Sequence, residues 1–262
     1  MEHSVIIGGK DLYETWSLIP TSRPVIKPPK LKSYVIDIPG ADGQIDISDQ
    51  PSGYPVFANR TGSLEFIVEN QNIPWTYIHD EIINFIHARE LKMELCDDRG
   101  WYYTGRFTFN EWKSNPDWSR VVIDYDVDPY KYSNAYSTTE DWEWDPFNFE
   151  HDVIYNATWN AFSVDGTDIE MPLFVNIDGQ SIPIFRSRKP VIPRITVTLT
   201  SGNSMTMKFK NPELDIDVTK TLNTGNTTDN DIVMSAINPD NAMSIKFTGH
   251  GTVSIRFRPG RL

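Results

Sequence analysis

The chain has one cysteine, five histidines and fewer bases than acids, 24 Lys and Arg against 36 Asp and Glu. The single Cys96 excludes an intrachain disulfide framework and any all-cysteine metal site. Set in the run LKMELCDD, it reads as a small buried hydrophobe. A net charge of −12 excludes the basic footprint that general nucleic-acid binding needs. No stretch approaches the roughly 18 consecutive apolar residues of a membrane span. The opening MEHSVIIGGKDL lacks the basic lead and long apolar run of a secretory signal. The chain is therefore expected to be made in a cytoplasm and not exported by that route. The glycosylation-like triplets at Asn59, Asn156 and Asn226 then read as coincidence.

What the chain does have is strand signal. Hydrophobic residues make up 39% and aromatics 12%, enough for a packed core, and 18 prolines and 15 glycines punctuate it as turns would. TVSIRFR (252–258) alternates strictly, with Val253, Ile255 and Phe257 on one face. KMELC (92–96) and WYYTGRFTF (101–109) flank Asp97-Asp98-Arg99-Gly100 as a hairpin. ITVTLT (195–200) and MTMKFK (205–210) flank Ser201-Gly202-Asn203-Ser204 and are expected to form a second one. One stretch has helical period: Trp75, Ile78, Ile82, Phe85, Ile86 and Arg89 fall on one stripe, predicting a helix over about 75–89 laid on a sheet. The fold class expected is mainly β, two β-sandwich-type domains, the first carrying that helix.

Two loops stand out. SRPVIKPPK (22–30) carries three prolines, and IPGADGQIDISDQPSGYPVFANR (38–60) is longer than a compact domain carries without a role. The aromatic and acidic character rises after residues 133–139, so the domains are expected at 1–135 and 136–262. The stretch DVDPYKYS (126–133) lies at the end of the first: Pro129 stops a strand, and Tyr130 and Tyr132 pack the exit of the chain.

Little in the sequence points to chemistry. Gly8-Gly9-Lys10 lacks the first glycine and the hydroxyl residue of a phosphate loop and reads as a turn. His79 and His87 lie eight residues apart, whereas shared metal ligation on a helix needs three or four. Asp124 and Asp126 alternate with apolar residues as the outer face of a strand. No catalytic residue, metal or cofactor is assigned. Trp142, Trp144 and Trp159 sit among carboxylates in 140–162; such residues stack on sugar rings, and they equally fill a β core. Arg256, Arg258 and Arg261 give the acidic chain a basic end, either the solvent face of the last strand or a contact for an acidic neighbour.

Several stretches together resemble the distal tail protein (Dit) family of long-tailed phages, in order along the chain. They are IPGADGQIDISD (38–49) with Gly40, Gly43 and Asp46; Arg60 before GSLEFIV; NFIHARELKMELCDD (84–98); YYTGRF (102–107) with Arg106; and DPYKY (128–132) with Pro129 and Tyr132. IDGQ (177–180), LDIDVTK (214–220) and SIRFRPGRL (254–262), with Arg256 and Arg258, resemble the family's last strands more loosely. The Trp-rich 140–162 segment departs from the family pattern.

The resemblance implies a non-enzymatic virion protein of the phage tail tip, assembled in the host cytoplasm. Its first domain would be a ring-forming belt of six copies; its second, galectin-like or jelly-roll-like, would project outward. Implied partners are other copies of the chain in a six-fold ring, the tail-tube protein, the tail-associated baseplate protein and receptor-binding proteins, with no specific nucleic acid and no membrane insertion. The alternative is a carbohydrate-binding sandwich that grips host surface glycans through Trp142, Trp144 or Trp159; a sandwich glycoside hydrolase is a third and weaker reading.

Overall fold

Alternation of apolar and polar residues dominates the strands, and the fold converts that period into antiparallel sheets. The computed structural model describes residues 3–68, 74–114, 118–135, 147–148, 153–154, 162–166, 169–170, 174–177, 180–183, 187, 189–235 and 243–262. The chain divides into two compact units, Met1–Tyr132 with Leu262, and Ser133–Arg261. Both are mainly β.

In the first unit the elements run β1 (Val5–Ile7), β2 (Lys10–Asp11), α1 (Leu12–Trp16), β3 (Leu18–Pro20), β4 (Val35–Asp37), β5 (Gln44–Asp46), β6 (Arg60–Val68), α2 (Trp75–Ile86), β7 (Arg89–Leu95), β8 (Trp101–Ser114), β9 (Ser119–Val127) and β10 (Lys131–Ser133). The main sheet has the order β2-β1-β7-β8-β9-β6-β3. In β6, Leu64, Phe66 and Val68 face inward while Thr61 and Glu65 face out, so a period of two selects the buried side. Ile78, Ile82 and Ile86, four apart on α2, are buried in the same core as Phe66, Met93 and Phe107. Burying each such side chain contributes about 1.5–3 kcal/mol. Gly105 is required where β8 meets β9: a Cβ there would lie 2.1 Å from the Asp126 carbonyl oxygen.

The expected helix is present but ends earlier. Ala88 takes a left-handed φ of 59°, and Arg89 begins β7 instead of completing the helical stripe. Trp75, also placed on that stripe, is half exposed. A second helix, α1, is too short for its period to register. Its signal is a capping pair, with Asp11 Oδ1 accepting from Tyr13 N at 2.8 Å and Glu14 N at 3.2 Å.

In the second unit the strands are β11 (Phe147–Asn148), β12 (Val153–Ile154), β13 (Phe162–Asp165), β14 (Ile169–Glu170), β15 (Phe174–Ile177), β16 (Gln180–Pro183), β17 (Arg194–Asn211), β18 (Ile216–Leu222), β19 (Gly225–Thr228), β20 (Ser244–Arg256) and β21 (Gly260–Arg261). The central order is β13-β20-β17-β18, with β14 on β20 and β19 on β17; β11–β12 and β15–β16 form two-stranded pairs. Val253 and Ile255 are fully buried and Phe257 nearly so, as the alternation in 252–258 requires. The expected hairpin at 201–204 is not formed. Residues 195–199 and 206–210 both run antiparallel to β20, so they lie in line within β17. Ser201 pairs with His250 and Thr206 with Thr248, which leaves 202–205 as a wide bulge opposite Gly249. A Gly-Asn turn signature specifies a local reversal of the chain only if the next strand prefers the first as its partner; here both halves prefer β20.

Candidate functional site

Residues 30–58 build one ribbon that extends from the arm at 22–29. At its base Lys32 N donates to Val56 O at 2.8 Å and Ala58 N to Lys30 O at 2.8 Å. Further out Val35, Ile36 and Asp37 of β4 pair with Asp46, Ile45 and Gln44 of β5. Gly40 and Gly43, at φ 83° and 80°, supply the left-handed conformations of the IPGADG tip. Asp46 fixes the return strand: its Oδ1 accepts from Ser48 N at 2.9 Å and from the Ser48 hydroxyl, which also accepts from Tyr34 N at 2.8 Å. The hydroxyl hydrogen bond holds the Asp46 carboxyl below its usual range. Gly40, Gly43 and Asp46 thus share one element and one task, shaping the hairpin.

The hairpin is apolar and uncovered. Every residue of β4 and β5 is exposed, and Tyr34, Val35, Ile36, Ile38 and Ile45 remain 58%, 49%, 48%, 42% and 49% accessible. A lone two-stranded ribbon is marginal in water, and contiguous exposed apolar side chains mark an interaction surface. The sheet edges are guarded differently: β2 has two residues, and β3 has three and ends in Pro20.

Arg60 anchors this ribbon. It is only 5% exposed. Its Nε donates to Pro129 O at 2.8 Å and its Nη1 to Lys27 O at 3.3 Å, while the guanidinium lies 5.5 Å from the Tyr103 ring centre. Lys27 N donates in turn to the Tyr125 hydroxyl at 3.2 Å. Burial pulls the Arg60 pKa down from its ordinary value. Nη2 is buried, with no hydrogen-bond partner among the described residues. One arginine therefore joins the arm, through Lys27, to the chain exit, through Pro129.

Around the exit Tyr130 meets Phe57 edge-on at 6.1 Å and Tyr132 lies 5.9 Å from Tyr102. The Tyr132 hydroxyl donates to Asp128 Oδ2 at 3.1 Å, and burial followed by that carboxylate pushes the phenol up. Lys131 pairs with Asp98 and lies 5.6 Å from the Trp101 ring centre. Arg106 sits elsewhere, donating to the Ala88 carbonyl at 3.0 Å and so steadying the turn from α2 into β7. In the second unit Arg256 is exposed on β20, opposite Arg194. Arg258 donates to Ser133 O at 2.5 Å and Asn134 O at 3.3 Å, so it is not simply a solvent-facing base. Trp142, Trp144 and Trp159 lie outside the described residues.

Other polar groups serve structure. Asp97 accepts from His3 Nδ1 at 2.7 Å and from Arg23 Nε at 2.9 Å, chiefly the first of which lowers its pKa. Lys10 lies 4.3 Å from the Phe85 ring centre, beside the Gly8-Gly9 turn, away from any phosphate-loop geometry. Lys220 bridges Asp229 at 2.8 Å and Asp231 at 2.6 Å. Among the described residues no group of three or more His, Cys, Asp or Glu is placed to hold a metal ion, and no helix is long and apolar enough to cross a membrane. Sequence reasoning located the 38–60 loop but missed its apolar exposure, because Val35, Ile36 and Ile45 read alike in a core strand and in a free ribbon.

This mainly β chain shares its fold with a solved phage adsorption-hub protein. In particular, it superposes on the crystal structure of the SPP1 Dit protein, described as a paradigm of the hub adsorption apparatus in phages infecting Gram-positive bacteria. The TM-score is 0.62 at 13% identity, over 98% of this chain and 99% of that one. Two structures of the phage p2 baseplate in its activated conformation, with Sr and with Ca, align with a TM-score of 0.37 at 8% identity, over 100% of this chain and 99% of theirs. No protein-family model matches the sequence, and no curated protein sequence matches it.

Proposed function

We propose that the chain is a structural, non-enzymatic subunit of a phage tail tip, forming a six-membered ring at the distal end of the tail tube. In that ring the first unit is the belt. One face meets the tail-tube protein and the other the tail-associated baseplate protein, while the second, galectin-like unit reaches outward to receptor-binding proteins. The observation that carries the proposal is the uncovered apolar hairpin on a chain whose fold aligns end to end with a hub protein. A head-to-tail ring uses two different patches on each subunit and closes on itself, so such a hairpin is covered on every copy. Its exposure in the single chain is otherwise an aggregation liability.

Native mass measurement of the purified full chain tests this. The proposal expects a species of six chains that dissociates when Ile36→Ser and Ile38→Ser are introduced together. A chain that stays monomeric up to millimolar concentration, alone or with tail-tube protein, overturns it.

A further inference from the structure

The ribbon is electrically polarised in a way that the apolar patch alone does not require. From residue 15 to residue 36 the chain contains no acid, and its bases are Arg23, Lys27, Lys30 and Lys32. From residue 33 to residue 59 it contains no base, and its acids are Asp37, Asp42, Asp46 and Asp49. Two adjacent segments therefore carry four bases and four acids, of which Arg23 is paired with Asp97 outside the ribbon. Lys27, Lys30 and Lys32 are exposed, as are Asp37, Asp42 and Asp49. Among the described residues no ion pair involves any of these six. The segments are related lengthwise: the bases lie in the arm and at the foot of the ribbon, the acids from β4 through the tip to the return strand. Both interleave their charges with exposed apolar side chains, Val25 and Leu31 on the arm, and Val35, Ile36, Ile38 and Ile45 on the hairpin.

We infer that the acidic hairpin of one copy docks on the basic, proline-rich arm of the next, a contact that rests on the ring reading above and assigns its two faces. The occupant is a second copy of this chain because each copy presents both halves of the match, and among the described residues the six exposed charges named above make no ion pair within it. The match joins two different patches, acid of one copy on base of the next, so it builds a ring where the rotation between successive copies closes. From the foot at Lys32 to the tip at Asp42 is about ten residues, roughly 30 Å of extended chain at ~3.3 Å per residue. The groove between residues 20–25 of the arm and residues 63–66 of β6 offers the exposed Val25 to the apolar tip. Opposite charges at such a contact act within a Debye length of about 8 Å in physiological salt, so association weakens as salt rises.

The test uses three forms of the full chain, with assembly followed by mass photometry and folding by thermal melting. One form carries Asp37→Lys, Asp42→Lys and Asp49→Lys; another carries Lys27→Glu, Lys30→Glu and Lys32→Glu; the third is the natural sequence. All six positions are exposed, so each form is expected to melt as the natural chain does. Each variant alone loses rings, with at least a tenfold rise in the concentration at which they dissociate. An equimolar mixture of the two regains them, because a basic hairpin then meets an acidic arm and the reverse around an alternating ring. Should a reversed form fold poorly, the neutral set Asp37→Asn, Asp42→Asn and Asp49→Asn is expected to give the same direction of change with a flatter dependence on salt. Rings of natural chain that persist in both variants, or variants that fail to complement, overturn the docking and leave the ring reading standing. A natural chain that forms no ring at all overturns both.

Discussion

The guanidinium of Arg60 donates to the carbonyl of Pro129 at 2.8 Å, across 69 residues of sequence, and to Lys27 on its other side. This buried cation binds the foot of the protruding ribbon to the exit of the first unit. Both acceptors are backbone carbonyls, so the interaction selects a position of the chain without demanding particular side chains there.

Removing that cation leaves two carbonyls to find new donors. Arg60→Ala is expected to cost about 2–3 kcal/mol, since a hydrogen bond from a charged donor is worth about 1.5–3 kcal/mol and desolvation relief offsets part of the loss. Hydrogen exchange at the Lys27 amide, which donates to Tyr125, should quicken in the same variant. An unchanged melting temperature and unchanged exchange would remove the latch from the account.

At Pro129 the bond uses the carbonyl, which any residue retains. Pro129→Ala is expected to change stability by less than about 1 kcal/mol, mostly through a freer unfolded chain. Tyr132→Phe removes the hydroxyl that donates to Asp128 and should cost about 1 kcal/mol. Tyr132→Ala also empties the space against Tyr102 and should cost about 3 kcal/mol. Urea titrations of the three variants check the order; a Pro129→Ala loss larger than that of Tyr132→Ala contradicts it.

Asp97 gives a dependence on pH. Its folded pKa is depressed, first by the hydrogen bond from His3 and then by Arg23, so it contributes stability above its unfolded pKa of about 3.9. That contribution disappears as pH falls through the lower folded value. Asp97→Asn should therefore melt below the natural chain at pH 6–7, with the gap closing towards pH 3. A gap that stays constant across this range shows that the carboxylate charge is not the cause.

The core and the hairpin should respond oppositely to similar substitutions. Ile82 is fully buried, and Ile82→Ala is expected to cost about 3–4 kcal/mol. Ile36→Ser and Ile38→Ser, on the exposed ribbon, should leave the melting of dilute monomer within about 0.5 kcal/mol of the natural chain. Melting curves at nanomolar to micromolar concentration separate the two cases.

These contrasts mark where sequence patterns carry information. Alternation in 252–258 reads correctly because one face of the strand is buried, and the stripe Ile78, Ile82 and Ile86 reads correctly for the same reason. The end of α2 does not, because Arg89 keeps the helical spacing while Ala88 turns the backbone left-handed. The bulge at 202–205 carries a turn signature whose outcome depends on β20, about forty residues away. For the candidate site, Gly40, Gly43 and the long loop were legible; the burial of Arg60 and the exposure of Ile36, Ile38 and Ile45 were not. A two-stranded ribbon with both faces free has the apolar content of a core strand, and only its surroundings distinguish the two.

The ring is the centre of the account, and its symmetry is the most direct measurement. Negative-stain class averages of the purified full chain, with tail-tube protein added if required, should show closed six-fold rings around an open channel. The first units should form the inner belt and the second units the periphery. Monomers at every concentration tried, or a closed particle of another symmetry, would contradict it.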